Sequence, residues 1–301
     1  MIDRLICGWR VSSTLPLPET SPWSGPDRPV DISISQGVVP AQLGNRTADL
    51  PYIEAGSDGR LLVDASPTGK FLVTDASVVV DTKLPPDAQE WRACLLGPVL
   101  AVICYLRGAL PLHACALRVG GRVIAVAGRS GAGKSTIAAA LSLRGHSLIT
   151  DDICACVQSN GHALVLPTYP AIKLDRGSLA ALGISAHHLT PIGPDFQKVQ
   201  VVWSHRFDPT PGRLEIVYLI EDTLEGTDDA VIPASGAEGF ERLSAEIYRP
   251  PIGRLLLAKP AFFAMVTQLA TQITIRRLIR QPDFGGLQRL AAAIELDVTR
   301  P

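Results

Sequence analysis

Short apolar runs separated by turn sequences dominate the first third of the chain. Three of these runs, Arg60–Asp64, Lys70–Thr74 and Ser77–Asp81, are rich in β-branched residues and are divided by glycine-, serine- and proline-containing turns. They predict a small antiparallel meander. Residues 1–35 are rich in proline and serine, which predicts loop with one or two edge strands.

A helical spacing follows. Between residues 87 and 107, apolar side chains recur at every fourth position, at Trp91, Leu95, Val99 and Ile103. This predicts a buried helix that Gly97-Pro98 should kink.

Two buried runs, Leu112–Val119 and Arg122–Ala127, are separated by two glycines, a sequence typical of a tight hairpin. Such a hairpin would pair His113 roughly opposite Gly128. It would also make the strand before Gly128 antiparallel to its neighbour, which favours a mixed sheet over an all-parallel one.

The rest of the chain alternates strands and helices. Strands are predicted at His146–Thr150, Ile153–Gln158, Ala163–Pro167, Val199–Val202 and Leu214–Ile220. Helices are predicted at Thr136–Leu143, Ser178–Gly183, Lys259–Arg280 and Leu287–Leu296. The long helix would carry Arg276, Arg277 and Arg280 at its C-terminal end, either solvated or contacting a phosphate or an acidic peptide. Two polar segments, Gly193–Gln197 and Glu221–Asp229, are candidates for recognition.

Composition restricts the class of protein. An apolar fraction of 47% with 19% charged residues indicates a folded globular chain. A net charge of −1 gives no reason to expect a nucleic acid or a membrane surface as partner. The six cysteines lack zinc-site spacing and the N-terminus lacks the apolar core of a signal peptide, so we expect buried thiols in a cytoplasmic protein.

The strongest motif is Gly128–Ser135, GRSGAGKS, which fits G-x-x-x-x-G-K-[ST] between a predicted strand and a predicted helix. Glycines let successive N–H groups converge on phosphate oxygens at a helix N-terminus. Lys134 would reach the β- and γ-phosphates, and the Ser135 hydroxyl would ligate Mg²⁺. The predicted ATP-contacting residues are Gly128, Ser130, Gly131, Ala132, Gly133, Lys134, Ser135 and Thr136.

An acidic pair, Asp151-Asp152, follows the next predicted strand. A right-handed crossover would bring the ends of both strands to one sheet edge, beside the glycine-rich loop. Neighbouring residues on a strand point to opposite faces, so we expect one carboxylate to face the γ-phosphate as base and the other to contact the metal or a loop. Asp152 is slightly preferred as base and Asp151 as metal ligand. A surface turn is the alternative for this pair.

The segment from Leu110 to Asp152, with His113, the glycine-rich loop, Arg144-Gly145-His146 and the acidic pair, resembles the catalytic core of the HPr kinase/phosphorylase family. The likeness continues weakly through Leu166–Gly183. It implies an α/β fold with a mixed-sheet P-loop core similar to HPr kinase and phosphoenolpyruvate carboxykinase at 91–301, after a β-rich N-terminal domain at 1–90. It also implies that His113, Lys134 and one aspartate of the pair are active-site residues.

Two departures from the family bear on the substrate. HPr kinases usually carry glutamate where this chain has Thr136, and no E-x-R-G segment is present, which leaves a second metal ligand unassigned. The chain is more similar to the branch that phosphorylates a serine of ribosomally made precursor peptides, such as the tail serine of lasso-peptide precursors.

The sequence therefore predicts an ATP- and Mg²⁺-dependent serine kinase acting on a peptide or protein, with self-association as a homo-oligomer left open. A small-molecule kinase, an HPr-type protein kinase and a nucleotide-dependent regulatory protein are the alternatives. A small-molecule kinase would need a closed pocket, whereas a peptide kinase needs an open groove beside the aspartates.

Overall fold

The computed structural model describes residues 2–187, 189, 191–193, 197–223, 229–281 and 283–300. These residues form a mixed α/β structure with two large sheets, one from residues 2–81 and one from residues 110–280. The segments Gly193–Gln197 and Glu221–Asp229, named above as recognition candidates, lie partly outside the described residues.

The first sheet has nine strands in the order β3-β1-β2-β4-β9-β8-β7-β6-β5. Their bounds are β1 Ile2–Ile6, β2 Trp9–Ser13, β3 Ser21–Pro22, β4 Ile32–Gln36, β5 Arg46–Leu50, β6 Ile53–Gly56, β7 Leu61–Asp64, β8 Lys70–Val73 and β9 Ser77–Asp81. Strands β7, β8 and β9 pair antiparallel in sequence, so the predicted meander is confirmed.

The prediction of loop with one or two edge strands for residues 1–35 was wrong, because this segment supplies β1, β2, β3 and most of β4. Strands β1 and β2 form a hairpin in which Ile6 pairs with Trp9, and β2 and β4 run parallel. The turn passes through Cys7 and Gly8, both at positive φ. Most prolines of this segment lie in the connections between these strands, whereas most of its serines lie within the strands. The composition of the whole segment therefore concealed short runs of pairing residues.

Residues 89–106 are helical, as predicted. They form α1 (Gln89–Cys94), one π-helical turn (Leu95–Val99) and α2 (Leu100–Leu106). Pro98 lies inside the π turn, where the wider winding accommodates a residue that cannot donate a backbone hydrogen bond. Trp91 and Tyr105 are fully buried, so this helix packs into the core.

The second sheet and its helices occupy the remaining chain. Its strands are β10 Leu110–Val119, β11 Arg122–Ala127, β12 Ser147–Thr150, β13 Ile153–Ser159, β14 His162–Leu166, β17 Gly212–Asp222, β18 Ala230–Pro233 and β19 Thr274–Arg280, and a separate pair is β15 Ala171–Asp175 with β16 Lys198–Val202. The longer helices are α3 Lys134–Leu143, α4 Arg176–Ala181, α5 Gly236–Ala245, α6 Pro250–Leu256, α7 Lys259–Gln272 and α8 Leu287–Thr299.

Strand β10 determines where the functional residues meet. It forms the predicted hairpin with β11, with Val119 opposite Arg122 and Ala114 opposite Ala127. It also pairs antiparallel with β12, so β11 and β12 run in the same direction and end at the same edge of the sheet. Strand β11 is parallel to β17 on its other side, which makes the sheet mixed.

The predicted helix Lys259–Arg280 was wrong in its second half. Helix α7 ends at Gln272, and residues 274–280 form β19, which is parallel to β17. The β-branched residues of this segment fit a pleated strand better than a helix. The three arginines, Arg276, Arg277 and Arg280, therefore lie on a strand and pair with Asp297, Glu221 and Asp222 respectively.

The two sheets share one hydrophobic core. Phe71 of the first sheet, Trp91 of α1 and Leu112 of the second sheet belong to one buried cluster. A second cluster lies between the other face of the second sheet and helices α3 and α8, and contains Ile137 and Ile294. Among the described residues, no helix is both long and apolar enough to cross a membrane.

Candidate functional site

The glycine-rich loop connects β11 to α3. Gly131 and Gly133 adopt positive φ values of 83° and 92°, and Gly133 is the residue before the first turn of α3. The Lys134 side chain folds back over the loop, where its Nζ donates to the carbonyl oxygens of Gly128 at 2.7 Å and Arg129 at 3.1 Å. Burial lowers the pKa of Lys134 from its ordinary value.

Asp151 is almost fully buried, and its carboxylate accepts hydrogen bonds from three neighbouring elements. The Ser135 hydroxyl and the Cys115 thiol each donate to its Oδ1 at 2.8 Å, and the Lys173 backbone N–H donates to its Oδ2 at 2.8 Å. Cys115 lies on β10, Ser135 on α3 and Lys173 on β15. The carboxylate is therefore fixed directly beside the hydroxyl that follows the loop lysine.

Asp152 occupies a different environment. Its backbone is left-handed, with φ of 72°, a conformation that costs energy outside glycine. Its Oδ2 accepts from Lys173 Nζ at 2.9 Å, and its Oδ1 lies 3.9 Å from His113 Nε2. Burial acts to raise the pKa of Asp152, but the charges of Lys173 and His113 outweigh it and lower the pKa to about 2.

His113 reaches the same place along β10. Its imidazole stacks on the ring of Tyr248, with centroids 5.5 Å apart and planes inclined by 16°. Burial, together with the charge of Lys134, lowers the pKa of His113 from its ordinary value. The ring is therefore mainly neutral at pH 7 and available as a hydrogen-bond donor or acceptor.

One cavity of about 910 Å³ connects these groups. Most of the residues predicted from the sequence line it, namely His113, Ser130, Gly131, Gly133, Lys134, Ser135, Thr136, Asp151 and Asp152. Gly128 and Ala132 belong to the same loop, and Gly128 provides a carbonyl to Lys134. The aspartate pair is therefore beside the loop rather than in a remote surface turn.

Beyond the loop, two groups of residues line the cavity, and we refer to them as its two ends. One group is Arg280, Phe284 and Leu287, and the other is Tyr52 and Ser66, from turns of the first sheet, with Arg249. Tyr52 is 70% exposed and Arg249 is also exposed, so the second end opens to solvent.

Comparisons with known proteins add little to this geometry. No family model and no curated protein matches the sequence. One solved structure that the chain resembles is the HPr(Ser) kinase/phosphatase from Coxiella burnetii. The match has 11% sequence identity, covers 62% of this chain and 95% of that chain, and has a TM-score of 0.33. A similarity of that size supports no conclusion about function, which must come from the site itself.

Several residues of the site were not predicted from the sequence. Lys173 lies within the weakly family-like segment Leu166–Gly183, and the signal was a lysine within an otherwise apolar run, AIKL. Tyr248 and Arg249 had no local motif. Arg280 was assigned to a helix end, whereas the structure places it against the loop. Cys115 was correctly expected to be a buried thiol, but its hydrogen bond to Asp151 could not be foreseen.

The oxygen atoms beside the loop fit Mg²⁺ better than a softer metal. Ser135 Oγ and the Asp151 carboxylate supply one hydroxyl and one acidic group, already 2.8 Å apart. In the described part of the chain no group of three or more His, Cys, Asp or Glu side chains could hold a metal by itself. Mg²⁺ is commonly held by one or two protein ligands with phosphate oxygens and water completing its shell.

Proposed function

We propose that the protein is an ATP-dependent, Mg²⁺-requiring kinase that phosphorylates a serine hydroxyl of a peptide or protein. The observation that carries this proposal is that the two adjacent aspartates have different partners. Asp151 accepts from Ser135 at 2.8 Å, while Asp152 lies in the same cavity beside His113. Phosphoryl transfer needs a metal-binding side and an acceptor-positioning side of this kind.

The loop would bind the triphosphate. Lys134 would exchange its two carbonyl contacts for oxygens of the β- and γ-phosphates, and the N–H groups around Gly131 and Gly133 would surround the same oxygens. Ser135 and Asp151 would hold Mg²⁺, which supplies neutralisation of phosphate charge when bound. The three donors on Asp151 keep its carboxylate in position before any ligand arrives.

Asp152 would orient the acceptor. In the reaction the serine oxygen forms a bond to the γ-phosphorus, the bond from that phosphorus to the ADP oxygen breaks, and the serine proton passes to the Asp152 carboxylate. A carboxylate with a pKa of about 2 is a weak base. Because the transition state is loose, a late proton transfer is sufficient, and Asp152 contributes mainly by positioning the hydroxyl.

Lys173 and His113 would support that role. Lys173 keeps Asp152 ionised and aimed into the cavity through the 2.9 Å contact. The neutral ring of His113, held flat against Tyr248, presents a hydrogen-bonding nitrogen near Asp152 and the transferred phosphate. These two residues would act on geometry and charge rather than as the primary proton acceptor.

The opening of the cavity beside Tyr52 and Arg249 favours a peptide acceptor over a small molecule. Tyr52 and Arg249 are exposed there, so a chain could enter with its serine directed toward Asp152. Arg249 forms no ion pair with a described residue, so its guanidinium could pair with an acidic group of the peptide. A serine near the end of a ribosomally made precursor, of the lasso-peptide type, fits such an opening. HPr is the less favoured acceptor because Thr136 replaces the glutamate typical of HPr kinases.

The direct test is the substitution Lys134→Ala, with Lys259→Ala as a control because Lys259 is exposed on α7 and does not line the cavity beside the loop. We expect the first variant to lose ATP binding or turnover and the second to retain both. Purified protein should also be incubated with ATP and either HPr or a serine-ended precursor peptide encoded by a neighbouring gene. Undiminished ATP turnover by Lys134→Ala would refute the kinase assignment, and efficient labelling of HPr would refute the choice of acceptor.

A further inference from the structure

The contacts around the first turn of α3 indicate in which direction a nucleotide would extend from the loop. Ser135 contacts Asp151, whereas the hydroxyl of the next residue, Thr136, contacts the Ser178 hydroxyl at 2.7 Å. If the γ-phosphate lies toward the aspartates, as the proposed function requires, the α-phosphate and the nucleoside must extend toward Thr136 and Ser178.

Beyond Ser178 the cavity is bounded by an aromatic ring. Gly177 precedes Ser178, and a Cβ atom built on Gly177 would lie 3.1 Å from Cε2 of Phe284. The absence of a side chain at residue 177 therefore lets the Phe284 ring rest closely on the start of α4. Phe284 remains 47% exposed and lines the cavity, so part of the ring stays accessible.

A cation lies against the loop. A Cβ atom built on Gly133 would lie 3.3 Å from Nη1 of Arg280, so the guanidinium lies against the loop backbone. Arg280 Nη2 is 3.2 Å from Asp222, which also pairs with Arg129 at 2.6 Å. The buried Nε of Arg280 has no hydrogen-bond partner among the described residues. Arg280 is thus placed to donate a hydrogen bond to a phosphate oxygen.

We infer that the end of the cavity lined by Arg280, Phe284 and Leu287 is the nucleoside subsite, where the purine ring stacks on Phe284 and Arg280 contacts the phosphate chain. Aromatic rings bind nucleobases through their π faces, and Leu287 supplies an apolar edge. The inference rests on the proposed function, because it uses the direction that phosphoryl transfer imposes. It adds the recognition of the base, which the glycine-rich loop cannot provide.

The test separates base from phosphate recognition. Dissociation constants for Mg²⁺-ATP and for Mg²⁺-tripolyphosphate should be measured by calorimetry on the full chain, for wild type, Phe284→Ala and Phe284→Trp. Phe263→Ala is the control, because Phe263 is 61% exposed on α7 and lies outside this cavity. Thermal melts establish that each variant is folded.

We expect Phe284→Ala to weaken ATP binding by about 5- to 150-fold, the range for loss of one stacked base, and to leave tripolyphosphate binding unchanged. Phe284→Trp should bind ATP as well as wild type does, and Phe263→Ala should change neither constant. Unchanged ATP affinity in Phe284→Ala, or an equal loss for both ligands, would overturn the subsite. Failure of wild type to bind either ligand would instead refute the proposed function.

Discussion

At the scale of single residues, the two adjacent carboxylates have different surroundings although both belong to aspartates that are consecutive in the sequence. Asp151 is enclosed by three donors, and Asp152 is oriented by a lysine and a histidine. Alternation along a strand predicted that the two side chains would diverge. Lys173 lies 21 positions beyond Asp152, so no local pattern could predict its contact with this carboxylate. The left-handed backbone at Asp152 likewise had no signal in the sequence.

The protonation of His113 offers a test at this scale. Lys134 acts to lower the pKa of His113, and Asp152 acts to raise it. We therefore expect the pKa of His113 to be below 6.5 in wild type, lower still in Asp152→Asn, and higher in Lys134→Met. NMR titration of the ring resonances gives these values, with the resonance assigned by its loss in His113→Gln.

The lowered pKa of His113 also makes the stability of the folded protein depend on pH. A histidine whose pKa is lower in the folded protein favours the unfolded chain under acid conditions, so His113 should reduce stability as pH falls through its unfolded pKa of about 6.5. If Asp152→Asn and Lys134→Met shifted the pKa of His113 in the same direction, the result would contradict this arrangement of the site.

At the scale of elements, the structure shows which patterns predicted well. The β10–β11 hairpin followed from two glycines between apolar runs, down to the pairing of Val119 with Arg122. Helix α7 was extended too far because Phe262, Val266, Leu269 and Ile273 continue a helical spacing up to the start of β19. Pairing with β17 decided the outcome, and such long-range pairing is not visible in a local window.

The π-helical turn allows a further prediction. A Cβ atom on Gly97 would lie 4.0 Å from both Asp152 Oδ2 and Tyr248 Oη, so Gly97→Ala adds a side chain that only just contacts the site. The larger side chain in Gly97→Val would enter the space in front of the Asp152 carboxylate. We expect Gly97→Val to slow phosphoryl transfer by about 10²-fold, as for a misplaced reactant, with ATP affinity retained.

Gly97→Ala is the matched control and should transfer phosphate at close to the wild-type rate. Single-turnover rates and ATP dissociation constants of both variants check this. Equal rates for wild type and Gly97→Val would show that the space in front of Asp152 is not used by the acceptor.

At the scale of the whole molecule, the site depends on both sheets. The first sheet shares its core with the second, and Tyr52 and Ser66 line the open end of the cavity. The sequence predicted a β-rich N-terminal region, but not which of its residues would reach the cavity. Those contacts arise from packing between segments that are distant along the chain, for which local periodicity carries no information.

In the proposed reaction the two aspartates divide the work of phosphoryl transfer to serine. We would measure single-turnover transfer from ATP to a serine-ended precursor peptide by mass spectrometry, in wild type, Asp151→Asn and Asp152→Asn, with ATP binding measured in parallel. We predict one added phosphate on the peptide with wild type. Asp152→Asn should be roughly 10²–10⁴-fold slower with ATP affinity retained, and Asp151→Asn should need more Mg²⁺. ATP binding without any phosphorylated peptide, or wild-type transfer rates in both asparagine variants, would contradict the account.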